Sequence, residues 1–324
     1  MELRRLVLLR ELSRRGTIAA VAQALSYSHS SVSVQLAELE KEAGTALLRR
    51  VGRNVELTAA GRRLAAHAEQ ALAADEAMRT ELAALADVPS GRIRMTFVQT
   101  PAIALLPGTL ERLAASAPQV EVDVIQRETA PALEDLRSHA VELVLGIEYD
   151  PLPVGRRRDD HREDLAREDV LVTLHHDHPA ARQPGPVRLA GLQDATWATG
   201  HPGTSIDGFL RNVCNRLAGY DPNIRHRSDD AVVLSAIVAS GRAIALLPAL
   251  FATGTPGLTS RPAREGTLQR TIFTVVRRTA RDAPAIRAVR QALRETATQV
   301  AASRNGIKVL PVPSTSPGTA ETAN

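Results

Sequence analysis

The sequence predicts three parts: an N-terminal helical winged helix-turn-helix, a long linker helix, and a C-terminal α/β domain. Two short helical patterns lie close together in the first 41 residues and are followed by a basic hairpin. A nearly unbroken, alanine-rich helical stretch then runs from Thr58 to Ala86. Beyond Asp87-Val88-Pro89-Ser90-Gly91, strand-like and helix-like segments alternate, as in βαβ units on a mostly parallel sheet.

In chain order, Leu3, Leu6, Val7, Leu9 and Leu12 recur at helical spacing, and Gly16 stops that helix. Thr17 is a suitable N-cap for a second helix through Ala24, whose inward face is Ile18, Val21 and Ala22. Leu25-Ser26-Tyr27 makes the turn, and Ser28 caps a third helix reaching Lys41. There Val32, Leu36 and Leu39 face the core, which leaves Ser30, Ser31, Ser33, Val34 and Gln35 on or near the open side. The helix-turn-helix therefore covers about 18–37. A wing covers 49–57, two short strands around Gly52-Arg53-Asn54, where Gly and Asn tolerate the positive φ of a tight hairpin. Residues 1–58 form one domain.

Thr58 caps the next helix, whose 29 positions would span roughly 44 Å. Leu64, Ala68, Ala71, Met78, Leu82 and Leu85 follow a heptad seam interrupted by Asp75. A lone helix of that length needs a partner for its stripe, so 58–87 is expected to be a dimerisation helix. Strands are expected at Ile93–Val98, Val120–Ile125, Val141–Ile147, Asp169–Leu174, Asn223–His226, Ala243–Leu247 and Thr271–Val276. Helices are expected at Ala102–Ser116, Ala132–His139, Ser205–Ala218, Asp229–Ser240 and Ala283–Ala302. Asp150–Arg162 reads as a Pro- and Arg-rich loop, and 305–324 as a disordered tail.

Composition narrows the function classes. Apolar content of 44% and charged content of 23% are ordinary for a globular protein, and no run of eighteen apolar residues suggests a membrane span. Met1-Glu2-Leu3-Arg4-Arg5 begins directly in a helical pattern, unlike a signal peptide. Cys214 is the single cysteine, which excludes an intramolecular disulfide and fits a reducing compartment. The net charge of +4 is unevenly placed: residues 1–63 hold eleven Arg or Lys and six Asp or Glu, giving +5, so the remainder is close to neutral. Aromatics at 2% are too few for single-strand stacking platforms.

These features point to double-stranded DNA as a partner. A helix fits the major groove, small hydroxyl side chains allow close approach, and Gln35 could form paired hydrogen bonds with adenine. The candidate DNA contacts are Ser28, His29, Ser30, Ser31, Ser33, Val34 and Gln35 on the helix, and Arg50, Arg53 and Asn54 on the wing. Other classes fare worse. His175-His176-Asp177-His178, with His161 and His201, could suggest a metal site, but neighbours on a strand alternate faces, so no metal is expected. No Walker loop, dinucleotide glycine fingerprint or Gly-x-Ser-x-Gly elbow occurs, so no enzyme is expected. The alternative is a small-molecule-binding α/β protein or enzyme whose N-terminal domain serves only oligomerisation.

The chain resembles LysR-type transcriptional regulators over nearly its whole length. The resemblance is carried by Gly16 to Ser28 and by Val32-Ser33, Gln35-Leu36, Leu39-Glu40 and Gly44. It continues in Leu47 to Arg53 and Leu57-Thr58-Ala59-Ala60-Gly61. Weaker marks are Leu106-Pro107, Val141-Glu142-Leu143, His178-Pro179, Val238 to Gly241 and Ile244 to Pro248. The family often has Gln where His29 stands and Arg or Gln where Val34 stands, so base preference does not carry over. A serine is frequent where Gln99-Thr100-Pro101 stands, which weakens an anionic-effector reading.

The resemblance implies a two-lobed, periplasmic-binding-protein-like effector domain over 91–304, with lobe 1 about 91–163 and 266–304 and lobe 2 about 164–265. It further implies a homodimer or homotetramer on promoter DNA in the cytoplasm, associated with the nucleoid, with RNA polymerase as a further partner. No cofactor is implied beyond a small-molecule co-inducer of unknown identity in the interlobe cleft. Thr100, Pro101, Thr129, Gly146, Ile147, Thr204 and Asp229 would line that cleft, since each lies at a strand end or helix start and ligands favour such ends.

Overall fold

Apolar side chains repeat at helical spacing through the first 39 residues, and each helix gives one stripe to a common core. The computed structural model describes residues 1–25, 27–52, 54–86, 88–252 and 256–311. Helices α1 (Leu3–Arg15), α2 (Ile18–Leu25) and α3 (His29–Ala43) meet through Leu6, Leu9, Leu12, Ile18, Val21, Val32, Leu36 and Leu39, all buried. Thr17 Oγ1 accepts from the Ala20 N–H at 3.2 Å and Ser28 Oγ from the Ser31 N–H at 3.1 Å, so both expected caps form. Strands β1 (Leu48–Val51) and β2 (Asn54–Leu57) make the antiparallel wing.

The wing is fastened to the helices by hydrogen bonds between side chains and backbone groups. Glu40 of α3 accepts from the N–H groups of Leu47 and Leu48, each at 2.8 Å. Thr58 donates its hydroxyl to the Ala46 carbonyl at 2.8 Å and accepts from the Gly61 N–H at 3.0 Å. Helix α4 (Ala59–Leu85) then passes so close that a β-carbon on Gly61 would overlap the Leu47 carbonyl oxygen. The expected seam of α4 divides. Ala65 and Ala68 are buried in the core that α1 contributes to, whereas Met78, Leu82 and Leu85 are exposed. Arg14 of α1 also reaches Glu69 of α4 at 2.5 Å. These residues, Met1–Val88, form one unit together with Arg137–Ala140 and Arg278–Pro284.

The second unit comprises Pro89–Leu136, Val141–Arg277 and Ala285 onward. In order, β3 (Gly91–Phe97), α5 (Gln99–Ser116), β4 (Val120–Gln126), α6 (Thr129–Arg137) and β5 (Leu143–Tyr149) come first. Then come β6 (Asp160–His175), α7 (Pro179–Arg182), β7 (Thr196–Thr199), α8 (Ser205–Val213), β8 (Asn223–Arg227) and α9 (Ala231–Ala239). Last are β9 (Ala245–Pro248), α10 (Ala249–Ala252), β10 (Leu258–Arg261), β11 (Gln269–Arg277), α11 (Pro284–Ser303) and β12 (Ile307–Val309). The first lobe's core packs Ala132, Leu133, Leu136, Val141 and Val144 against Phe273 and Val275. The second gathers Ala198, Leu234, Val238, Ala243, Ala245 and Leu247.

Several expectations are corrected. The sheet is not mostly parallel: β3 pairs in parallel with β4 and β5, and β7 with β8, but β11 runs antiparallel to both β5 and β6. The chain leaves the first lobe along β6 and returns along β11, and an outgoing and a returning strand that pair must be antiparallel. Residues 160–162, expected in a loop, open β6. The charges at the start of β6 are matched by β5 and α11, Arg162 by Glu148 at 2.7 Å and Glu163 by Arg290 at 2.8 Å, so the segment does not look like a strand in its hydropathy. The lobe boundary expected at 163/164 lies further on: Asp160–Asp169 pair with β11, and pairing passes to β9 at Val170.

Helix α5 begins at Gln99, not Ala102, since Pro101 in a first turn has no N–H to lose. Helix α6 runs 129–137 and not 132–139. Helix α9 is capped by Asp230, which accepts from the Val232 and Val233 N–H groups, so Asp229 lies outside it. Helix α8 gives way at Cys214 to a π turn through Ala218. Ile307–Val309, expected in the tail, pairs with β6. Ser26, Asp87 and tail residues 312–324 fall outside the described residues. No helix among the described residues is long and apolar enough to cross a membrane.

Glu168 of β6 is 0% exposed and Arg270 of β11 is 1% exposed, and they pair at 2.7 Å. Glu168→Ala strands a buried guanidinium and should cost about 3–5 kcal/mol in urea unfolding; Glu168→Leu with Arg270→Met should recover most of that loss. Gly61→Ala should cost about 1–3 kcal/mol by forcing α4 off the wing. A Gly61→Ala variant with an unchanged thermal midpoint would contradict that close approach.

Candidate functional site

The first site is the open face of α3 and the wing beside it. His29, Ser30 and Val34 are exposed, and Ser31, Ser33 and Gln35 are half-buried. The Ser28 and Ser30 hydroxyls lie 3.0 Å apart, and Ser33 donates to the His29 carbonyl at 3.0 Å. Gln35 is less free than its sequence position suggests. Its Oε1 accepts from Arg5 Nε at 3.0 Å, and Arg5 is held in turn by Glu42 and Glu2. Paired recognition of adenine uses that oxygen as acceptor, so adenine would share it with Arg5. Val34 instead offers an apolar surface of the kind that meets a thymine methyl.

On the wing, Arg49 is spent on Glu56 directly across the hairpin at 2.7 Å. Arg50 is exposed and makes no side-chain hydrogen bond or ion pair with a described residue, so its charge is available to a phosphate. Asn54 pairs with Val51 at the hairpin's end, while Arg53 lies outside the described residues.

The second site is the cleft between the lobes of the second unit. Of the seven candidates, Thr100, Ile147 and Asp229 line it. The other four support its walls. Pro101 is buried in the first turn of α5. Thr129 is buried, and its hydroxyl bridges the Ile147 carbonyl (3.2 Å) and N–H (3.0 Å). Gly146 lets Phe273 and Thr129 pack where a side chain would stand. Thr204 donates to the His201 carbonyl at 2.8 Å just before α8.

Residues that sequence reasoning missed here include Gln99, Glu128, Tyr149, Ser205, Ser228 and Arg270. Gln99 and Glu128 each lie next to a residue already singled out, so helix starts were the available signal. Gln99 Oε1 accepts from the Ala231 N–H at 2.9 Å, a tie between one lobe and the other. The cavity holds about 50 Å³.

Electrostatically, the cleft divides into matched and unmatched charge. Arg270 donates through Nε to Glu168 at 2.8 Å and through Nη2 to the Thr100 hydroxyl at 2.7 Å. Burial works against the Arg270 charge, but Glu168 and Tyr149 outweigh it, and the guanidinium is held more firmly protonated than usual. Asp229 accepts from both the backbone N–H and ring Nδ1 of His201, each at 2.9 Å. Glu128 has no side-chain hydrogen bond or ion pair with a described residue. Burial first, and the Asp229 charge second, raise its carboxyl above the usual range, against the pull of Arg270.

The histidine cluster is only partly assembled. Strand β6 ends at His175, and His176 and Asp177 fall in a turn, so the alternation of strand faces does not apply to them. His175, His176 and Asp177 bring ligand atoms within 4.8 Å of one another, with Asp177 also contacting Arg182 at 3.3 Å. His178 caps α7 through Nδ1, and burial lowers its pKa. His161 faces Arg290, and His201 faces Asp229.

Comparison with known proteins adds to this geometry. Residues 86–298 match the family model described as LysR substrate binding domain, and residues 3–62 that of the bacterial regulatory helix-turn-helix protein, lysR family. The chain is similar to the transcriptional dual regulator GltC of Bacillus subtilis (strain 168), 26% identical over 260 residues covering 80% of this chain and 85% of that protein. It is also similar to the HTH-type transcriptional regulator IlvR of Caulobacter vibrioides, 28% identical over 233 residues, 70% of this chain and 76% of that protein. In fold it is similar to a full-length OxyR variant from Pseudomonas aeruginosa (TM-score 0.64, 21% identity, 91% of this chain and 98% of that one). It is likewise similar to full-length CbnR complexed with its target DNA (TM-score 0.53, 22% identity, 91% and 100%).

The raised Glu128 pKa has a consequence for stability. The folded chain keeps this proton to higher pH than the unfolded chain, whose carboxyl titrates near the ordinary 4.5. Its ionisation therefore costs stability as pH rises through the folded value. Glu128→Gln removes that cost, so the variant's thermal midpoint relative to the unsubstituted protein should climb between pH 4 and neutrality and then level off. A difference constant with pH would contradict the burial of Glu128.

Proposed function

The chain belongs to the LysR family of transcriptional regulators, and from that premise we propose how its two units act on DNA. It is a DNA-binding transcriptional regulator and not an enzyme. Members of the family bind promoter DNA as oligomers and respond to small-molecule effectors. In this chain α3 enters the major groove with Ser28–Val34 leading, and the wing places Arg50 over the flanking backbone. The observation that carries this reading is the open N-terminal face of α3, with the wing pinned beside it by Glu40.

Two chains pair through α4, whose last turns present Met78, Leu82 and Leu85 to a partner. Dimers join through their effector domains into a tetramer, working in the cytoplasm at the nucleoid and in contact with RNA polymerase. A small molecule in the interlobe cleft, and no other cofactor, shifts the relative pose of the DNA-binding pairs. That shift requires the ligand to bind the two states with different affinity.

Purified protein should protect a dyad-symmetric promoter segment in a footprinting assay, and a chain cut after Gly61 should not. Arg50→Ala should weaken binding to all duplexes alike and lower the slope of log affinity against log salt by about one. An unchanged slope would remove Arg50 from the interface. Loss confined to one sequence would make it a base reader.

A further inference from the structure

Resting on the reading of the interlobe cleft as the effector site, we propose that the cleft takes a cationic effector head, a protonated amine or guanidinium, seated between Glu128 and Asp229. The charged side chains among its lining residues are Glu128, Asp229 and Arg270. Arg270 brings no net charge to an anion. Its charge is met by the fully buried Glu168 at 2.7 Å, and its Nη2 is occupied by the Thr100 hydroxyl. A carboxylate ligand would meet a guanidinium whose charge is already balanced, beside two further carboxylates.

The two acids are not compensated in the same way. Asp229 is hydrogen-bonded by His201 but pairs with no arginine or lysine among the described residues. Glu128 is half-buried, and its carboxyl group takes no hydrogen bond or ion pair from a described residue. Like charges this near disfavour each other, and a cation between them relieves both.

Helix N-termini do not reverse the balance. The first N–H groups of α9 are already taken by Gln99 and by Asp230, at 2.9 Å and 2.7 Å for the shortest contacts. The uncapped start of α5 supplies roughly half a positive charge, less than either carboxylate removes. The space agrees with a compact head group. About 50 Å³ is available, where one water needs roughly 10–15 Å³ on the same measure, so the space takes a group of a few heavy atoms.

Calorimetric titration of the full-length protein tests this with cadaverine and agmatine as cationic probes, glutarate as an anionic probe, and a diol of equal length as a neutral one. A cationic probe should bind, and glutarate should not. Glu128→Gln should weaken the cation at least about tenfold, and Glu128→Lys should admit glutarate. Asp229→Asn carries the same test should a Glu128 variant fail to fold by circular dichroism. Glutarate binding to the unsubstituted protein as well as the cations do, cationic affinity unmoved by Glu128→Gln and Asp229→Asn, or no binding of either cation would each overturn the proposal.

Ser205→Trp, which fills the cleft mouth, separates the two levels of inference. If a bound probe persists in that variant, the cleft itself is not the effector site. If binding vanishes there but ignores Glu128 and Asp229, only the charge assignment falls.

Discussion

Where the chain passes between the lobes of the second unit, Glu168 and Arg270 meet without access to water. Glu168 lies two positions before Val170, where β6 exchanges β11 for β9 as its partner. Its second oxygen accepts from the Leu250 N–H at 2.7 Å, and Arg270 reaches Thr100 at the start of α5. Neither charge can be buried alone except at a cost of several kcal/mol, so four segments from both lobes keep a common register. The same pairing silences the one arginine of the cleft. The electrostatic character of the pocket then passes to Glu128 and Asp229, which have no such counterpart.

The DNA-facing unit follows a parallel logic with hydrogen bonds in place of a buried charge pair. One face of α3 builds the core through Val32, Leu36 and Leu39, and its far end holds the wing through Glu40. Gly61 lets α4 approach the Leu47 carbonyl, so hairpin and long helix share one attachment. The orientation of Arg50 relative to α3 is thereby set by backbone contacts and does not depend on the hairpin's own stability, which for two short strands would be marginal. Gln35 differs from its neighbours on that face, since its oxygen accepts from Arg5 within the same unit.

Much of this was legible in the linear chain, for reasons that differ by region. The first three helices follow a 3.6-residue period with Thr17, Ser28 and Gly16 at their ends, all local signals. The long helix was equally plain, but its seam was not one surface. Ala65 and Ala68 turn toward α1 inside the same chain, while Met78, Leu82 and Leu85 stay open. Strand β6 escaped notice over Asp160–Arg162 because its charges are neutralised by residues distant in sequence, Glu148 and Arg290 among them. Ile307–Val309 was hidden likewise, since three residues after a helix become a strand only by adding to the edge that β6 provides.

The sequence by itself determined the helix-turn-helix, its caps, the basic wing, the linker helix and the succession of strands and helices beyond. Each rests on periodicity, capping and turn chemistry between near neighbours. Tertiary structure alone decided which charges remain free. Arg49 and Arg50 are adjacent in sequence, yet cross-strand register gives Glu56 to the first and leaves the second exposed. Arg270 and Glu128 stand far apart along the chain, and only the antiparallel pairing of β6 and β11, which sets Arg270 opposite Glu168, neutralises one while leaving the other unmatched in the cleft. Pairing of charge depends on distances between residues remote in sequence, which no local pattern encodes.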